Sequence, residues 1–170
     1  MAIAVYIPAT LPMLQQLVAE GSLWPVNGTA FAVTPALRES YAEGDDDELA
    51  EVALREAALA SLRLLAADAD AIPRTVRPRR AVLAAEVDDV QYRPDLDEAV
   101  VRLGGPVTIE QVVAAYVDNA VAEPAVTAAV AVIDAADLGD EDADLVVGDA
   151  QDHDLAWYAN QELPFLLDLL

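Results

Sequence analysis

Cysteine and lysine are both absent from the chain, and histidine occurs once, at position 153. Without cysteine there is no disulfide, thiol nucleophile, iron–sulfur cluster or thiolate-bound zinc. Without lysine there is no Walker-type phosphate loop, and the only double glycine, Gly104-Gly105 before Pro106, does not match G-x-G-x-x-G. Aromatic residues are scarce, with two Phe, two Trp and five Tyr, so the core must be built from Val, Leu and Ala with a few large anchors. No stretch approaches the roughly 18 uninterrupted apolar residues of a spanning helix. The nearest, Ala125–Ile133, is short and alanine-rich. The opening residues Met1–Pro8 lack a basic region and carry too short an apolar run for a signal peptide. A cytoplasmic protein with no membrane partner is expected.

What is present is acid. Thirty-one Asp and Glu face nine basic residues, all Arg, for a formal charge of −22. Phosphate contacts need a basic footprint, so no nucleic-acid partner is expected. A lysine-free chain rich in Ala, Val and Asp fits a GC-rich coding bias. Salt adaptation is a second account of the acidity, and polyanion mimicry or cation binding a third. A hydrophobic content of 55% and a mean hydropathy of +0.29 exclude a disordered acidic tail. At 170 residues the chain suits one domain spanning 1–170.

The charge is uneven. Residues 103–170 hold fourteen acidic groups and no arginine, whereas six of the nine arginines fall between Arg74 and Arg102. The plainest expectation is that the Arg-bearing segment folds against the acidic C-terminal part. The run Arg74–Arg80 could hold a phosphate, but Pro73, Pro78, Asp68 and Asp70 make it read as a connection packed on the fold.

Periodicity and punctuation give an α+β domain with a mixed β-sheet packed by helices, α/β being the alternative. Ile3, Val5 and Ile7 read as a strand ending at Pro8. Thr10 with Pro12 starts a helix that Gly21 ends, and Thr34-Pro35 starts a short one to about Tyr41. Asp45–Glu48 opens a long helix reaching about Ala67, with Leu54, Ala58, Leu62 and Leu65 on one face. Val82–Val87 and Ala99–Leu103 read as strands. Thr108–Gln111 matches a capping box, yet a strand at Ala114–Asp118 is favoured over a continuing helix. A helix Pro124–Ala136, an acidic loop 137–154, a strand Leu155–Tyr158 and a closing helix Gln161–Leu170 complete the reading.

Two constellations could carry chemistry. Asp140, Asp142 and Asp144 open like a calcium loop, but Leu145 stands where that loop needs Gly and Gln151 where it needs Glu. A solvated acidic loop is the plainer reading, with a weak metal site formed by Asp140, Asp142, Asp144, Asp152, His153 and Asp154 as the sharper one. His153 lies between Asp152 and Asp154, but side chains of adjacent residues point in different directions, so the triplet is not expected to act as one chelate without help from elsewhere. No catalytic residue is singled out and no cofactor is expected.

Several stretches together carry a family likeness: Val5-Tyr6-Ile7-Pro8-Ala9-Thr10-Leu11 running into Pro12-Met13-Leu14, then Thr29–Arg38 with Tyr41–Gly44, and finally His153–Tyr158 with Gln161-Glu162. Over essentially its whole length the chain resembles a family of small acidic actinobacterial proteins grouped as a domain of unknown function. The resemblance implies a GC-rich source and no activity, cofactor or catalytic residue. The leading expectation is a non-catalytic protein acting through protein contacts or as a homo-oligomer, helped by the apolar C-terminus from Trp157. The alternatives are a metal-assisted hydrolase using residues 140–154 and an acidic polyanion mimic that binds a basic partner.

Overall fold

In a computed structural model the described residues are 2–41, 43–69 and 76–170. Among the described residues nine strands and six α-helices alternate irregularly: β1 (Ile3–Ala9), α1 (Leu11–Glu20), β2 (Ser22–Leu23), β3 (Thr29–Phe31), α2 (Pro35–Ser40), α3 (Asp46–Ala67), β4 (Ala81–Val87), β5 (Gln91–Tyr92), β6 (Val100–Arg102), β7 (Val107–Thr108), β8 (Val112–Val117), α4 (Glu123–Asp137), α5 (Glu141–Gln151), β9 (Ala156–Ala159) and α6 (Leu163–Leu169). Seven strands form one sheet in the order β5-β6-β3-β1-β4-β8-β9, and β2 pairs with β7 beside it. The α+β class holds.

Every neighbouring pair in the large sheet is antiparallel, where a mixed sheet was expected. The reason is topological. The crossover through α2 and α3 does make β3 and β4 run in the same direction, but β1 lies between them and runs the other way. The helical hairpin α4–α5 likewise returns the chain to β9 beside and opposite to β8. Pro8 has no N–H to give, and β1 correspondingly pairs with β3 only where Tyr6 faces Phe31.

Alternation in β1 and β4 divides the core. Val5, Ile7 and Ala9, with Ala81, Leu83 and Ala85, face a layer made by α1 and α6, whose Leu11, Leu14, Leu17, Leu163 and Leu166 are buried. On the other face Tyr6, Phe31, Val82, Val100 and Tyr116 meet α3. Helix α3 starts where the sequence says it should: the Asp45 side chain accepts from the Glu48 N–H at 2.8 Å, and Asp46, Asp47 and Glu48 occupy the first turn. Its buried Ala53, Ala57 and Ala58 keep it close to the sheet, while Leu62 and Leu65 turn toward α4 and α5. Ser61, fully buried on α3, donates to the Ala9 carbonyl and accepts from the Ala81 N–H, tying the helix to the ends of β1 and β4.

Two segments depart from expectation. Residues 137–154 contain helix α5 rather than an acidic loop: Asp140 caps it by accepting from the Ala143 N–H, and Ala143, Val147 and Ala150 form its buried stripe. At Thr108–Gln111 the Gln111 side chain does accept from the Thr108 N–H, as in a capping box, but the chain continues into strand β8. Tertiary pairing with β4 and β9 overrides the local start signal. Among the described residues no helix is long and apolar enough to cross a membrane.

Candidate functional site

The expected docking of the arginines on the acidic C-terminal part holds for three of the six, whereas Arg93 pairs with Asp95 and Arg102 donates to the Asn27 carbonyl. Arg77 and Arg79 reach Glu123, at 3.8 and 3.1 Å, and Arg80 reaches Asp118 at 2.8 Å. Arg74 lies outside the described residues.

Arg80 and Asp118 sit opposite one another just beyond the last paired residues of β4 and β8, Ala81 and Val117. They are 1% and 0% exposed. Asp118 accepts from Arg80 Nε and Nη2, a bidentate pair at 2.8 Å each, and from the Arg80 backbone N–H. Arg80 Nη2 also donates to the His153 carbonyl, and Nη1 to Gln151 Oε1. A single guanidinium therefore ties β4 to β8, to the end of α5 and to the approach of β9. Four of its five N–H groups have acceptors among the described residues.

Arg80, but not Asp118, lines a cavity of about 460 Å³ between α3, β8 and the α5–β9 connection. Glu51, Leu54, Arg55 and Ala58 line it from α3, Tyr116 from β8, and Gln151, His153, Asp154 and Leu155 from the connection. Gln151 is held at both ends, accepting from Arg80 and donating to the Arg55 carbonyl, while Arg55 Nη1 donates to the Gln151 carbonyl at 3.3 Å. The rest of the polar wall is unengaged: among the described residues the side chains of Glu51, Tyr116, His153 and Asp154 take part in no hydrogen bond or ion pair within the fold. Behind the wall, burial pushes the Tyr6 phenol above its ordinary value, with Tyr116 and Asp47 adding to the effect. Glu56, next along α3, is pushed up too, chiefly by burial and then by Asp97.

A family model described as a family of unknown function, DUF6912, matches residues 3–167. The chain belongs to that family. No curated protein and no solved structure matches it.

In this DUF6912 member the six residues read as weak metal candidates are separated. Asp140 is spent on the α5 cap, and Asp142 and Asp144 are exposed in the first turn of that helix. Asp152 is exposed just past its end, whereas His153 and Asp154 enter the cavity. Among the described residues no group of three or more His, Asp or Glu side chains is placed so that it could hold a metal ion. Sequence reading missed Arg55, Glu51, Tyr116 and Gln151 as site residues, and it weighed Arg80 only within the Arg74–Arg80 run. One signal did point to Arg80: it is the arginine that immediately precedes an apolar strand, where a side chain is drawn into the fold.

Proposed function

We propose that this protein is a non-catalytic binding domain and that the cavity over Arg80 is where it takes a small molecule. One observation carries the reading: four polar side chains, Glu51, Tyr116, His153 and Asp154, converge on one cavity without partners among the described residues, beside the buried Arg80. The volume falls within the range of about 300–1,000 Å³ usual for ligand sites. Leu54, Ala58 and Leu155 supply apolar wall, and Arg55 supplies an exposed guanidinium. A mixed fragment library followed by two-dimensional NMR tests it. Binders should move the signals of Leu54, Tyr116 and Leu155 together, and Arg55→Ala with His153→Ala should abolish those shifts. A library that moves none of them contradicts the reading.

Protein contact is a second reading, favoured by the outer edge of β9. That strand pairs on one side only, with β8, and its Trp157 is 58% exposed. If β9 joins a second copy or another chain, sedimentation should show a complex that Trp157→Ser dissolves. Monomer at every concentration, with no recovered partner, removes it.

A further inference from the structure

The cavity wall is of mixed sign, although the chain as a whole carries a formal charge of −22. Glu51 and Arg55 stand one helical turn apart on α3, and Asp154 faces them across the opening. Elsewhere, six of the eight described arginines are paired with a carboxylate. Arg55 is not, even though two carboxylates line the same cavity. Charges of both signs are thus held around one space without closing on each other.

We infer that the cavity takes a small zwitterion, a molecule with a carboxylate and an ammonium group on a short, largely apolar body. The inference rests on the cavity being a ligand site. The Arg55 guanidinium on the wall fits a carboxylate, since it is exposed and engages only the Gln151 carbonyl among the described residues. Glu51 and Asp154 fit an ammonium, and Leu54 and Ala58 fit the body between them. An anion alone would lie against two carboxylates, and a cation alone against Arg55. Only a ligand of both signs satisfies the wall without leaving a charge opposed. The volume of about 460 Å³ suits a free amino acid or a dipeptide.

Calorimetry on the full chain tests this with three matched probe sets: the common L-amino acids with uncharged side chains, their N-acetyl derivatives, which keep only the carboxylate, and their amides, which keep only the ammonium. At least one free amino acid should bind saturably, at least about tenfold tighter than either blocked form, as loss of a charge-assisted hydrogen bond requires. Glu51→Gln with Asp154→Asn should erase the preference over the N-acetyl form. Arg55→Gln should erase the preference over the amide. All three residues are exposed, so the fold should survive, and a merely structural role would weaken every probe alike. A blocked form binding as tightly as the free one overturns the inference. So does a failure of all free amino acids while other library compounds move the Tyr116 and Leu155 signals, in which case the cavity is a ligand site of different chemistry. If no compound of any kind registers at the cavity, both the inference and the binding reading fall.

Discussion

Removing one member of the Arg80–Asp118 pair should be among the most damaging single changes this chain can suffer. Both side chains are buried, at 1% and 0% exposure, and the guanidinium contributes four hydrogen bonds, two of them to Asp118. Asp118→Ala leaves a cation in the interior with two neutral acceptors, the Gln151 side chain and the His153 carbonyl. Arg80→Met leaves a carboxylate with one donor, the backbone N–H of residue 80. Breaking a buried pair from one side costs about 3–5 kcal/mol, because the surviving charge is uncompensated. In a domain of this size that corresponds to roughly 6–20 °C in melting temperature. The double variant Arg80→Met/Asp118→Leu should lose less than the sum of the single variants, because neither charge remains. It should still fall short of the parent, since the ties to Gln151 and His153 are gone. Urea unfolding of all four proteins closes the cycle. Single losses below about 1 kcal/mol, the cost typical of an exposed pair, would refute the reasoning, as would strictly additive losses.

Four further outcomes are expected. Ser61→Ala should cost about 1–3 kcal/mol in urea unfolding, because the buried Ala81 N–H loses its acceptor and the Ala9 carbonyl a donor. Gly28→Ala should be worse than Gly21→Ala in the same assay: both have positive φ, but a Cβ at Gly28 would stand 2.9 Å from the Leu103 carbonyl oxygen, whereas nothing lies within 4 Å at Gly21. Asp140→Ala should lower stability by about 1 kcal/mol through the lost α5 cap, while Asp142→Asn changes it little. The raised folded-state value of Glu56 means that its ionised form is disfavoured by folding, so Glu56→Gln should raise the melting temperature at neutral pH. That gain should shrink as pH falls through the carboxylate range, where the parent residue is protonated in both states, and a gain constant with pH would contradict the assignment.

Local signals accounted for much of the fold. Thr34-Pro35 and Asp45–Glu48 announce α2 and α3, and both caps form as the residue types require. Helix α5 was hidden for a physical reason. Its Asp140, Glu141, Asp142 and Asp144 suit a helix N-terminus as well as a calcium loop, and only the spacing of Ala143, Val147 and Ala150 separates the two. Small residues make that stripe faint. Strand direction was illegible because it depends on β1 lying between β3 and β4, which no local pattern records. The site was only partly readable. His153 stands out as the lone imidazole, but its cavity is completed by Arg55 and Gln151, 96 positions apart, and by Arg80, which is held by Asp118, 38 positions away. The first pairing follows from α5 packing on α3 and the second from β8 lying beside β4.

The central claim, that the cavity above Arg80 is a working binding site, is tested most directly by NMR titration of the isotope-labelled chain with free amino acids and the fragment library. The account predicts saturable shifts confined to Leu54, Ala58, Tyr116 and Leu155 and their neighbours, needing higher ligand concentration in Arg55→Gln and lost in Arg55→Ala with His153→Ala. Shifts that map to the β9 edge or elsewhere, or no shifts at all, would contradict it.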